Sequence, residues 1–514
     1  MKALGIRQDW VFWSLLKQLI ENGPYEIIHI SGDFQEVWLQ ANERKPVTIV
    51  RLLRQNFPWS NVIEQDIEYV YEKSEQLRKQ WFKKELHTKN IYISDYEPVN
   101  EWSPLSKAEQ MMGKKAPTKV ETILVAEWNT KEEYEHLTGC SLVYPSHEDG
   151  QLLLYNEHLK QQVITYITNQ KKKERELFEY GKPFLAFVLL AAQIVMFLVL
   201  EFKGGSENTL TLIEYGAKFN PFIFDGEWWR FITPIFLHIG MLHLLMNSFA
   251  LYYLGPMVEK MYGSIRFLFI YLFSGFTGVL GSFLFSSTVS AGASGAIFGC
   301  FGALLYLGKI HRQLFLRTMG YNIIAVIIVN LIFGFVVPGI DNAGHIGGLV
   351  GGFLAASIVS LPKHRNPKEQ VLGLVISGVI VIASLLYGFS PKNLEKDTEY
   401  ALGIAQNFNA NKQYDKALDV LQPFQEKSIK DSRIYFLLSY AQIKKNEIEK
   451  GRNNLETAVR YDPSFHEAHY NLALIYLSLG EVEKARTSIE KAAKLEPKNE
   501  QYQQLLREVQ TRVQ

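Results

Sequence analysis

Residues 291–308 read AGASGAIFGCFGALLYLG, and residues 343–353 read AGHIGGLVGGF. Each is an apolar run that opens on small residues and one chemically active side chain, Ser294 in the first and His345 in the second, 51 positions apart (345 − 294). Polar side chains within a hydrophobic span are expensive and usually mark function. Gly295 and Gly299 form a small-xxx-small pair after the serine, and Gly344, Gly348 and Gly352 make two such steps around the histidine. Such glycine faces let apolar helices approach at backbone distance. Packed face to face, the two helices are expected to bring Ser294 Oγ within hydrogen-bonding reach of His345. The imidazole then removes the serine proton, creating a nucleophile, and later returns a proton to a leaving amine. These residues point to a serine hydrolase working inside a membrane. Asp341, four residues before His345, lies in an expected loop with its geometry open, so the pair reads as a dyad.

Working outward, seven apolar segments are expected at Pro183–Phe202, Phe231–Leu254, Phe267–Ser287, Ala291–Gly308, Tyr321–Pro338, Ala343–Leu361 and Val371–Phe389. Each is near the roughly 20 residues that a membrane-crossing helix needs. Positive charge gives an orientation. Lys171, Lys172, Lys173 and Arg175 precede the first segment; Lys260 and Arg266 follow the second; Lys309, Arg312 and Arg317 follow the fourth; Lys363, Arg365 and Lys368 follow the sixth. The opposite loops Ser287–Val289 and Gly339–Asn342 carry no Lys or Arg. The N-terminus is therefore expected in the cytoplasm and the C-terminus outside.

In that orientation the second, fourth and sixth segments all run inward, and His238, His243, Asn247, Ser294 and His345 all stand near their outer beginnings. His243 and Asn247, at i and i+4, share a helix face. With the Ser294 N–H they are candidate donors to the oxyanion of a tetrahedral intermediate, each such donor being worth about 3 kcal/mol. His238, five residues before His243, is expected to point elsewhere and support the site. A metal reading of the histidines lacks a carboxylate or thiol partner. Cys300 is expected to serve packing, and Asn322 and Asn330 interhelical hydrogen bonds. A transporter would need ionisable groups along the whole crossing, and here they gather at one end.

The flanks are polar. Residues 1–175 read as a soluble α+β domain of unassigned role, with strands at Tyr25–Ile30, Glu36–Leu39, Val47–Leu52, Ile91–Ile93 and Val120–Ala126 and a charged helix over Asn61–Lys84. Asp33 and Glu36 beside a turn could form a metal-binding pair but read better as solvated carboxylates, and no cofactor motif is found. The first residues, MKALGIRQDWVFW, do not have the pattern of a signal peptide. Net charge is +1, which gives no support to nucleic-acid binding. The two cysteines, Cys140 and Cys300, fall in unlike regions and suggest no disulfide. From about Asn393 a period of 34 appears: Pro463 and Pro497, Ala458 and Ala492, Leu455 and Ile489, Leu438 and Leu472. It resembles tetratricopeptide repeats, two clear copies after a degenerate first one, filling 393–514. Such arrays present a concave face to a protein or peptide partner.

Gly226-Glu227-Trp228-Trp229-Arg230, the His238/His243/Asn247 array, Gly292-x-Ser294 and His345-x2-Gly348-x3-Gly352 together resemble the rhomboid intramembrane serine proteases over roughly 181–362. The resemblance implies Ser294 as nucleophile, His345 as general base, His243 and Asn247 as oxyanion donors, and His238 as a supporting residue beside Gly292 and Phe298. Gly344 stands where members commonly carry alanine, and Phe298 where many carry tyrosine; Phe298 retains the ring that stacks on the histidine. It further implies cleavage of transmembrane proteins near the outer face without cofactor or metal. The soluble domain, seventh segment (core 181–390) and repeats look like the larger rhomboids of Gram-positive bacteria, in the plasma membrane. The alternative is a membrane adaptor, non-catalytic or dual-function, that delivers clients to other proteases; such proteins generally lack the serine or the histidine, and both are present.

Overall fold

The computed structural model describes residues 2–23, 25–41, 47–81, 83–100, 117–126, 129–138, 141 and 149–513. Cys140 lies outside the described residues. The chain divides into two compact units, Met1–Glu176 with Gln313–Thr318, and Leu177–Arg312 with Met319–Gln514.

In the first unit, strands β1 (Tyr25–Ile30), β2 (Glu36–Ala41), β3 (Val47–Arg54), β4 (Leu86–Ile93) and β5 (Thr118–Val125) form one sheet in sequence order. The first three strands pair antiparallel and the last two join in parallel. A parallel step needs a crossover, and helix α2 (Ser60–Gln80) supplies it between β3 and β4. Alternation sends Val37, Leu39, Val50, Leu52, Ile91 and Ile93 to one face, under α1 (Lys2–Glu21) and α4 (Asp149–Phe178). Trp38, Ile49, Leu86 and Val120 go to the other, toward Val70 of α2. The short α3 (Thr130–Thr138) follows β5. Buried Arg51 donates to Glu36 at 2.6 Å and to both oxygens of Asp66 at 2.5 and 3.0 Å. Glu36 is thus engaged in an ion pair rather than merely solvated, while Asp33 accepts from Ser31 Oγ within its own turn.

The second unit holds the apolar segments, all helical: α5 (Leu185–Lys203), α6 (Gly240–Tyr262), α7 (Ser264–Phe285), α8 (Ser294–Ile310), α9 (Tyr321–Val336), α10 (Asn342–Val359) and α11 (Pro367–Gly388). Among the described residues five helices are long and apolar enough to cross a membrane. The other two are α6, which contains His243, Asn247, Glu259 and Lys260, and α8, which begins with Ser294 and has 17 residues. The second segment begins later than expected, because 228–236 folds into two 3-10 turns around Pro234 and the helix starts at Gly240.

Backbone contact organises this core. A Cβ at Gly348 would overlap the Gly295 carbonyl, and one at Gly352 the Gly299 carbonyl, so α8 and α10 touch main chain to main chain. Helix α7 closes the third side, with Gly278 against the Gly344 carbonyl. At the opposite end, buried Glu259 accepts the N–H groups of Phe184, Leu185 and Ala186, each at 2.9 Å, and the Ser264 hydroxyl at 2.6 Å. It supplies acceptors to the otherwise unpaired first turn of α5.

The repeats follow as α12 (Thr398–Ala410), α13 (Tyr414–Glu426), α14 (Ser432–Lys444), α15 (Ile448–Tyr461), α16 (His466–Ser478), α17 (Val482–Leu495) and α18 (Glu500–Val513). Helix starts at 398, 432, 466 and 500 keep the 34-residue period, so the first copy, weak in sequence, is regular in structure. Left-handed turn residues recur in the same phase at Lys412, Asn446 and Gly480. The first repeat is not free-standing: Phe219 and Phe222, between α5 and α6, share a buried cluster with Leu394, Ala401, Leu402 and Phe424.

Gly348→Val is expected to prevent the α8–α10 contact rather than tune it. Thermal unfolding in detergent should show loss of the cooperative transition, whereas Gly378→Ala, with no neighbour within 4 Å of the added methyl, should unfold like the parent.

Candidate active site

Ser294 is the first residue of α8, at the positive end of the helix, where the initial backbone N–H groups have no intrahelical acceptor. The approach is set by Gly292, whose φ of 146° lies in the left-handed region and whose N–H donates to the Pro234 carbonyl at 2.9 Å. A Cβ there would stand 2.7 Å from His243 Cε1 and 2.9 Å from Nε2, so the His243 ring covers the backbone two residues before the serine.

His345 lies in the first turn of α10 and is 9% exposed. Its ring stacks on Phe298 at 4.3 Å between centroids and 9° between planes. Phe298 is one turn below Ser294 on α8, so the serine's own helix supplies the platform for the histidine. His345 Nδ1 is buried without a hydrogen-bond partner, and among the described residues no hydrogen bond joins the ring to Ser294 in this state. Nucleophile–base hydrogen bonds are often long before substrate arrives. Asp341 is committed elsewhere: its Oδ1 accepts from Gly344 N at 2.9 Å, capping α10, and its Oδ2 accepts from Ser290 Oγ at 2.8 Å. It therefore does not orient the imidazole by a hydrogen bond.

His243 Nδ1 accepts from Ile239 N at 3.4 Å, which leaves the proton of a neutral ring on Nε2, the nitrogen against Gly292. Buried Asn247 donates one amide hydrogen to the His243 carbonyl at 3.0 Å and keeps a second. The position of His238 differs from expectation. It precedes the helix, so helical spacing does not govern it; its ring lies 5.4 Å from that of His243, and its Nε2 accepts from Ala293 N at 3.4 Å. It sits behind His243 and holds the residue just before Ser294. Cys300 is fully buried and unpaired, as a packing residue would be. Among the described residues no group of three or more His, Cys, Asp or Glu is arranged to hold a metal ion.

The loop between α5 and α6 is built on Arg230, which is buried, donates to the Ile213 and Ala217 carbonyls at 2.7 and 2.8 Å, and pairs with Glu227. Trp228 and Trp229 beside it are more than half exposed, the placement of aromatic residues at a membrane interface. Sequence reasoning did not find Lys218, Asn220 and Asp397, which are all buried near this end. A lysine among apolar neighbours, Gly216-Ala217-Lys218-Phe219, was the available signal.

These features define a helical, membrane-like core with a serine and three histidines near one end. The rhomboid domain family matches residues 225–362, and a tetratricopeptide repeat family matches 436–500. The chain is 39% identical over 509 residues to rhomboid protease GluP of Bacillus subtilis strain 168, covering 98% of each chain. It is 35% identical to the putative rhomboid protease YdcA of the same organism, over 36% of this chain and 92% of that one. The repeat region is similar to the Arabidopsis OM64 TPR domain, with TM-score 0.22 and 15% identity over 23% of this chain and 98% of that one. The chain belongs to the rhomboid family, whose members are intramembrane serine proteases.

Gly292→Ala must both adopt a strained φ and push the His243 ring. Because the displaced ring is His243, cleavage of a transmembrane substrate is expected to fall on the order of 100-fold. Gly339→Ala has the same backbone problem (φ 88°) in open space and should retain activity in the same assay.

Proposed function

We propose that this protein cleaves transmembrane proteins near the outer membrane face through a Ser294–His345 dyad. The observation that carries the reading is the Phe298 platform: α8 bears both the serine and the ring on which His345 of α10 stacks. His345 takes the proton of Ser294 as its oxygen attacks the scissile carbonyl, then delivers it to the leaving amine. His243 Nε2–H, the remaining Asn247 amide hydrogen and the first N–H groups of α8 receive the oxyanion. No step needs a metal or cofactor. Because an intact helix shields its peptide bonds, substrates with helix-breaking residues at the cleaved segment are favoured.

The orientation supported by the distribution of positive charge puts the N-terminal unit in the cytoplasm of a bacterial cell, with the site and the repeats outside. The repeats share the site's end of the second unit, and their array suits recruitment of a protein or peptide partner there.

Purified enzyme with a model transmembrane substrate tests the chemistry. Ser294→Ala and His345→Ala should each lose roughly four orders of magnitude or more in kcat, and His243→Ala roughly 10²- to 10³-fold. Equal cleavage by parent and Ser294→Ala would discard the dyad. A membrane-impermeant maleimide tests the topology: Lys498→Cys should react in intact cells, and Lys131→Cys only after permeabilisation.

A further inference from the structure

Lys218 is 0% exposed, although its side chain is an ammonium on a loop. Its Nζ donates to the Ser286 carbonyl and, at 3.0 Å, to the Thr288 carbonyl. Its own backbone pairs with Ser290 in both directions, Lys218 N to Ser290 O at 2.8 Å and Ser290 N to Lys218 O at 3.1 Å. One residue thus grips both ends of 286–290, the loop that leads from α7 into Gly292-Ala293-Ser294.

The grip continues to the histidine helix. Ser290 Oγ donates to Asp341 Oδ2, a pair 51 residues apart (341 − 290), the separation of Ser294 and His345. Each member stands four residues before its active-site counterpart. Asp341 in turn caps α10 through Gly344 N and accepts His345 N with its carbonyl at 3.0 Å. The two helix starts are thereby locked in register one turn outside the site.

The third attachment comes from the repeats. Asp397, 2% exposed at the start of α12, accepts from Asn220 Nδ2 at 2.9 Å, and Asn220 Nδ2 also faces the Phe283 and Ser286 carbonyls at 3.3 Å. Ser287 Oγ donates to the Lys396 carbonyl at 3.3 Å. Asp341 and Asp397 are the carboxylates whose charges act on Lys218; burial pushes its ammonium down to about 8 and these two oppose the shift. A buried cation is tolerated only with such compensation. Nothing in the chemistry of Ser294 and His345 uses it.

We infer that Lys218 is a positioning residue for the nucleophile, and that Asp397 extends its grip so that the repeat array forms part of the frame holding the serine loop. The inference rests on the reading of Ser294 as nucleophile. Removing the ammonium frees the Ser286 and Thr288 carbonyls and leaves buried Asp397 and half-buried Asp341 without their cation, so the loop shifts. A displacement of about 1 Å is enough to cost on the order of 100-fold in rate.

The full chain in detergent is treated with a fluorophosphonate probe, and both the labelling rate and the final labelled fraction are recorded. Lys218→Met is expected to reach the parent's final fraction 10- to 100-fold more slowly, with kcat for a transmembrane substrate falling in parallel and KM unchanged. Asp397→Asn should slow labelling less. The double variant should be no slower than Lys218→Met, because both act on one loop. Parental rates in Lys218→Met, or a reduced final fraction labelled at the parental rate, would overturn the role. Should Lys218→Met not fold, Ser290→Ala decides: slowed labelling at full amplitude supports the frame, and an unchanged rate rejects it. Labelling that persists in Ser294→Ala would instead overturn the nucleophile assignment itself.

Discussion

The contact between Gly295 and Gly348, repeated at Gly299 and Gly352, sets the geometry of everything near the site. Lipid tails are as apolar as leucine, so no hydrophobic force drives these two helices together. They gain instead from main-chain contact, which any side chain at Gly348 or Gly352 would block. Both pairs are 53 residues apart (348 − 295 and 352 − 299), so the contact also fixes the axial register. With that register, Ser294 and His345 both fall in the first turns of their helices. Phe298 is placed to carry the imidazole on its face.

A second constraint is polar. Helix beginnings leave N–H groups without acceptors, and three of them are handled in different ways here. Glu259 fills the start of α5 with a buried carboxylate. Asp341 caps α10 and simultaneously ties it to Ser290. The start of α8 has no side-chain cap at all. It shares this with α6, α7, α9 and α11, and it is the one of them that begins with Ser294. An uncapped terminus leaves backbone donors able to receive an anion, which is what the proposed oxyanion role of this one would use.

Much of this was legible in the sequence, and the reasons are physical. The five strands declared themselves by alternation between two buried faces, and the apolar helices by length. The glycine steps predicted the α8–α10 contact, and the 34-residue period predicted the helix pairs. What stayed hidden depended on contacts distant in sequence. Helix α1, KALGIRQDWVFWSLLKQLIE, is apolar over a broad face and offers no clean cap. The start of α6 was read too early because the 3-10 turns around Pro234 are as apolar as the helix. His238 was misplaced by applying helical spacing to a residue outside the helix. Asp341 looked like a possible partner for His345 until Gly344 and Ser290 were seen to occupy it. Lys218 and Asp397 are buried through partners distant in sequence, Ser286 and Thr288 for the one and Asn220 for the other.

Contact between the repeats and the loop between α5 and α6 changes what counts as a boundary in this chain. Phe219 and Phe222 lie in the interior of the first repeat, and the ring of Phe219 faces Tyr400 at 6.4 Å. The array therefore lacks a separate N-terminal cap; the protease core provides it. Cutting the chain near residue 393 would expose apolar surface on both fragments. Membrane core and repeat arm share one apolar interior in this chain.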